Sequence, residues 1–110
     1  MLVNELIYHL SKVSDKSKEI RFYNSMYHIT NATIEYGNIY LSVNDMNKPL
    51  SVRQLVVKLI KLGKLYCKVS TPLPRDIKFI AEYSDIVLIG VTYQTIPSYE
   101  HIMLFIDENV

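Results

Sequence analysis

Cys67, the histidines His9, His28 and His101, and the glutamates Glu35 and Glu82 are the side chains whose types could carry nucleophilic, metal or acid–base chemistry. A cysteine nucleophile must be an exposed thiolate with a base beside it. Cys67 instead falls in an apolar-alternating run, Leu65 to Val69, that places it on a core-facing strand position. The histidines stand in three different elements, with no i, i+4 pair and no cysteine at ligand spacing, so they outline no metal site. Three isolated glycines do not make the loop that cradles a phosphate. Glu35 and Glu82 each precede a tyrosine at the edge of a turn, where solvent-facing hairpin residues are expected. The expectation from these residues is a protein that is not an enzyme, with no catalytic residue, cofactor or metal.

Residues suited to binding are better organised. Lys58, Lys61 and Lys64, with Arg53 before them, form a basic face on an amphipathic run, which could contact nucleic acid or remain a solvated surface. Basic residues dominate from Leu50 to Lys78 (Arg53, Lys58, Lys61, Lys64, Lys68, Arg75 and Lys78 against Asp76), although the formal net charge of the chain is only +1. A near-neutral molecule exerts no strong field on nucleic acid or membrane. The chain also holds 9 tyrosines and no tryptophan. Tyrosine suits interfaces because its ring offers area and its hydroxyl a hydrogen bond, and an AT-rich genome would enrich it as well. Tyr23, Tyr40 and Tyr93 are expected to point outward, joined by Val87 and Ile89.

The elements that position these residues come in two sets. Glu35-Tyr36-Gly37-Asn38-Ile39-Tyr40-Leu41 returns 47 residues later as Glu82-Tyr83-Ser84-Asp85-Ile86-Val87-Leu88. Each copy follows an amphipathic helix. The first, about Val3 to Ser14, has Val3, Leu6, Ile7, Leu10 and Val13 on one face at 3, 4, 7 spacing and starts at Leu2, which has no side-chain oxygen to cap it. The second opens on Ser51 with Gln54 three residues later, a capping box, and ends at Gly63, which accepts the left-handed conformation. Three strands follow each helix, with turns at Gly37-Asn38 and Ser84-Asp85. If the copies match, Ile39 and Leu41 face inward and Tyr40 and Ser42 outward, while in the second copy Val87 and Ile89 occupy the outward positions. An apolar pair there calls for cover, supplied by the strand Ile102 to Ile106 or by a second chain.

Together these features predict an α+β domain of residues 1–110. It comprises two repeats (about 2–45 and 50–91) and a C-terminal tail (92–110). The sheet is expected to be antiparallel, of six or seven strands, with both helices on one face. Two separate lobes are the other arrangement, disfavoured because three-stranded sheets are marginal alone. A single cysteine and no long apolar run imply a reducing, cytoplasmic setting and no membrane span.

The run Val3-Asn4-Glu5-Leu6-Ile7 with Leu10, Asp15 and Ile20-Arg21-Phe22 resembles short proteins of phages and plasmids. These open with a Glu-Leu-Ile helix, an Asp-containing turn and a Val-x-Ile strand. Ser51-Val52-Arg53-Gln54-Leu55-Val56 with Leu59 and Cys67-Lys68-Val69 is similar, whereas Leu2 departs from the Thr or Ser usual before the helix. The resemblance implies a mobile-element source and a small accessory protein that binds a host or viral protein, anti-defence inhibitors included. A homodimer through the 86–91 strand or the tail, and nucleic-acid binding through the second helix, are the other expectations.

Overall fold

The computed structural model describes residues 1–22, 28–44, 48–72, 76–90 and 102–105, the last segment through its backbone. In chain order the elements are α1 (Val3–Leu10), β1 (Glu19–Phe22), β2 (His28–Glu35), β3 (Asn38–Asn44), α2 (Val52–Leu62), β4 (Val69–Ser70), β5 (Phe79–Glu82), β6 (Ile86–Gly90) and β7 (Ile102–Phe105). All seven strands belong to one sheet of order β4-β3-β2-β1-β6-β5-β7, which disposes of the two-lobed arrangement. Val3, Leu6 and Leu10 of α1 and Val52, Leu55 and Leu59 of α2 join one buried cluster with Ile20, Ile29, Leu41 and Ile89 of the sheet. Both helices therefore cover the same face. α1 stops at Leu10, short of the expected Ser14. The amides of Lys12 and Val13 bond three residues back, to His9 and Leu10, and this tightened last turn still brings Val13 into the core.

The sheet is mixed and not antiparallel as expected. β1 pairs with β6 in parallel, from Glu19↔Ile86 to Phe22↔Ile89, and β3 pairs with β4 in parallel at Ile39↔Val69 and Tyr40↔Ser70. Connectivity explains the second pairing: β3, α2 and β4 make a strand-helix-strand crossover, and a helix returning the chain to the same end of a sheet produces parallel neighbours. That crossover spans the joint between the two expected repeats.

The starts of the two helices are held in the same way. Val3 N–H donates to Cys67 O (2.9 Å) and Asn4 N–H to Leu65 O (2.8 Å), while Val52 N–H donates to Lys18 O (2.9 Å) and Arg53 N–H to Lys16 O (2.9 Å). Val69 N–H to Met1 O likewise matches Ile20 N–H to Leu50 O. Each bond maps onto its counterpart by a shift of 49 residues (3 to 52, 4 to 53, 20 to 69) with donor and acceptor halves exchanged. The first-turn N–H groups, which have no partner within a helix, thus find carbonyls in the loop after the opposite helix. This also answers the missing cap at Leu2. Its N–H donates to Glu5 Oε1 (2.9 Å), as Ser51 N–H donates to Gln54 Oε1 (3.0 Å). At α2 the box is complete, with Gln54 N–H on Ser51 Oγ (3.1 Å), and Gly63 closes the helix at φ 70°.

The structure corrects the phase of β6. Val87 and Ile89 are fully buried beneath the helices, and Ile86 and Leu88 take the opposite, half-buried side. Opposite Ile39 stands Val69, and opposite Val87 stands Ile20, so Val87 corresponds to Ile39 at a shift of 48, where the repeat in the sequence suggested 47. A slip of one residue reverses every side chain of a strand. Cys67 is likewise displaced from the core: it lies half-buried in the loop before β4, and Val69 holds the buried position. β7 does not cover a face. It pairs antiparallel with β5 and ends the strand order.

β5 is buried on both sides, Ile80 and Glu82 toward the helices and Phe79 and Ala81 away from them. Gly90, the partner of Phe79 across β5–β6, leaves the room that the Phe79 ring occupies, since a Cβ there would stand 2.1 Å from Phe79 Cε1. The β2–β3 hairpin turns at Tyr36-Gly37, one residue before the expected Gly37-Asn38, with Glu35 paired to Asn38. Tyr36 takes φ 51° and Gly37 φ 79°, the left-handed pair of a two-residue hairpin turn.

Candidate protein-binding surface

The most concentrated chemistry surrounds Glu82, expected in solvent and found 4% exposed. Its carboxylate accepts the Ser14 amide (2.9 Å) and hydroxyl, the Asp15 amide (3.4 Å) and Lys18 Nζ (2.7 Å). Lys18 Nζ also donates to Tyr83 O (2.7 Å). Burial pushes the Glu82 carboxyl up, but the hydrogen bonds from Lys18 and Ser14 and the Lys18 charge outweigh it and leave it at about 2. A carboxylate so acidic is a poor proton acceptor near neutral pH. The cluster is a latch tying the α1–β1 loop to the end of β5. In the same loop Asp15 accepts from the Ser17 hydroxyl (2.6 Å) and amide (3.0 Å), and these bonds hold its carboxyl below the usual range. Glu35, matched to Glu82 in the expected repeat, is exposed. No local sequence signal reveals the latch, because its partners lie 64 to 68 positions away.

Other chemically capable residues are dispersed. His9 packs its ring edge-on to Tyr8 (centroids 5.4 Å), His28 opens β2, and His101 lies outside the described residues. No group of three or more His, Cys, Asp or Glu among the described residues could hold a metal ion, and none of the described helices is long and apolar enough to cross a membrane.

The exposed apolar residues, by contrast, gather. Tyr8, Ile34, Tyr36, Val57, Ile60, Leu65 and Tyr66 are the large apolar side chains exposed among the described residues. All but Tyr8 belong to α2, the loop that follows it, or the β2–β3 hairpin. Val57 and Ile60 lie on the outer face of α2, opposite Val52, Leu55 and Leu59. The hairpin tip and the α2–β4 loop meet at one end of the sheet. In the parallel β3–β4 pair Ile39 stands beside Val69, and Tyr36 and Tyr66 each precede that pair by three positions. Tyr66 is 81% exposed and Tyr36 fully so. Ile60 is 56% exposed.

Cations frame this strip. Arg53, Lys61 and Lys64 are exposed as expected, and Lys68 joins them, while Lys58 is half-buried at the side of α2. The ion pairs found among the described residues join Lys18 to Glu82 and the Met1 amino group to Asp76, so these cations have no carboxylate partner there. Residues 51–68 contain no Asp or Glu.

The other expected contacts separate from this surface. Tyr40 is half-buried on the sheet face away from the helices, with Ser42. On that face Arg21 and His28 stand opposite each other in β1–β2, and the buried atoms Arg21 Nε and His28 Nδ1 have no hydrogen-bond partner. Val87 and Ile89 are core residues, and Tyr23 and Tyr93 lie outside the described residues. Comparison with protein-family models, with curated proteins and with solved structures finds no match.

Proposed function

We propose that this chain is a non-catalytic binding protein that acts by protein–protein contact, with α2 and the adjoining loop and hairpin as its contact surface. The observation that carries this reading is the collection of Val57, Ile60, Leu65, Tyr66, Ile34 and Tyr36 in solvent along one helix and the sheet end next to it. Contiguous exposed apolar area on a folded domain marks an interaction site, and a polar or charged rim about an apolar centre is the ordinary anatomy of an interface. The resemblance of Glu5-Leu6-Ile7 and Ser51 to Val56 to phage and plasmid accessory proteins supports a mobile-element source, with a host or viral protein as target and inhibition of a defence system as one such role. The bonds repeated at a shift of 49 residues support reading the two halves as copies of one unit.

Immobilised wild type and an Ile60→Asp variant, exposed to nuclease-treated bacterial lysate, test the proposal. A protein retained by the wild type and lost from the variant is the expected result, and equal retention by both contradicts it. Nucleic-acid binding is the second reading, favoured by Arg53, Lys61 and Lys64, which have no carboxylate partner among the described residues. It requires an association that weakens steeply with salt and survives Ile60→Asp. Self-association through the β7 edge would show as a dimer in light scattering.

A further inference from the structure

Along α2 the apolar and cationic side chains alternate by helical turn. Arg53, Val57 and Lys61 succeed one another at intervals of four residues, as do Ile60 and Lys64. Four residues span roughly 6 Å of helix, so Val57 has a cation about one turn away on either side, and Lys64 follows just past the Gly63 cap that ends the helix. Leu65, Tyr66 and Lys68 continue the mixture past the Gly63 cap. A ligand seated on Val57 and Ile60 must offer apolar groups at the centre and anions at about one-turn spacing along both flanks. Phosphodiester backbone meets only the second demand, because phosphates over Val57 and Ile60 would lose water and gain no donor. An α-helix with Leu or Ile on one stripe and Glu or Asp beside it meets both, since its own side chains repeat at the same interval.

We infer that the surface of α2 takes an acidic amphipathic helix of another protein, its apolar stripe on Val57, Ile60 and Leu65 and its carboxylates toward Arg53, Lys61 and Lys64. This rests on the protein-binding reading above and names the chemistry of the partner. No carboxylate lies within residues 51–68, and none pairs with these cations among the described residues.

The test is fluorescence anisotropy of the full chain with a labelled helical peptide of about 18 residues, roughly 27 Å long and so longer than α2. The peptide carries Leu on one stripe and Glu on both flanks. Two counterparts replace every Glu by Gln or by Lys, and an oligothymidylate of similar length is titrated in parallel. The Glu peptide is expected to bind about tenfold or more tighter than the Gln peptide, with the difference shrinking as salt rises. A Lys61→Glu/Lys64→Glu variant, its fold checked by circular dichroism, is expected to reverse the preference toward the Lys peptide, and Ile60→Asp to abolish binding of all three. Equal affinity for the Glu and Gln peptides overturns the acidic-partner inference while leaving a protein-binding surface in place. Binding of oligothymidylate with none of the peptides overturns both, and binding of nothing overturns the inference.

Discussion

Glu82 shows how far a single residue can stand from its apparent neighbourhood. Beside the turn Ser84-Asp85 it reads as a surface residue, yet it is buried because Ser14, Asp15 and Lys18 converge on it from the far end of the first half. Its folded value of about 2, against an ordinary 4.5, fixes the sign of the pH dependence. The stabilisation is complete above about pH 4.5 and is lost as pH falls toward 2. The shift corresponds to something on the order of 3 kcal/mol. Glu82→Gln should therefore lower the urea-unfolding free energy at pH 7 by about 3 kcal/mol, since the half-buried Lys18 loses its ionic partner. The gap between variant and wild type should narrow as both are measured toward pH 2, and a gap independent of pH would refute the latch. Gly90 tests packing at the same scale. Gly90→Ala pushes a methyl group into the Phe79 ring and should cost about 1–3 kcal/mol in the same assay.

Among the elements, α2 was the most legible, because its signals are local: the capping box Ser51/Gln54, the 3, 4, 7 stripe and Gly63 all lie within the element they define. Strand phase was not. Ile86-Val87-Leu88-Ile89 is apolar at every position, so alternation gives no direction, and only pairing with β1 and β5 decides that Val87 and Ile89 face the helices. The candidate surface was legible in part. Arg53, Lys61 and Lys64 announced themselves by charge at helical spacing, whereas nothing local marks Val57 and Ile60, apolar residues outside the buried stripe, as part of a contact surface. The hairpin tip offers a test that separates folding from binding. A tyrosine at φ 51° is strained relative to asparagine, by roughly 1 kcal/mol. Tyr36→Asn should raise the melting temperature by about 4–8 °C while weakening retention of the captured partner. A variant that is stabilised and binds as well as wild type would remove Tyr36 from the surface.

For the whole molecule, the decisive contacts are those between halves. β4 leaves its own half to pair with β3, β6 closes on β1, and each helix start is capped by the loop after the other helix. None of this is visible to local pattern, since parallel pairing depends on which strands a crossover brings together. It predicts that neither half unfolds alone. Circular dichroism and tyrosine fluorescence should follow one coincident transition in urea, and two separated transitions would contradict the interlocked sheet. The same architecture packs α2 against the sheet with its outer face in solvent, and the proposed contact lies on that face. Its most direct test is a ¹⁵N chemical-shift footprint of the chain with the protein recovered by capture. Perturbed amides from Arg53 to Lys68 and at Tyr36 are the expected result. A footprint confined to the opposite sheet face, at Arg21, His28, Tyr40 and Ser42, would contradict it.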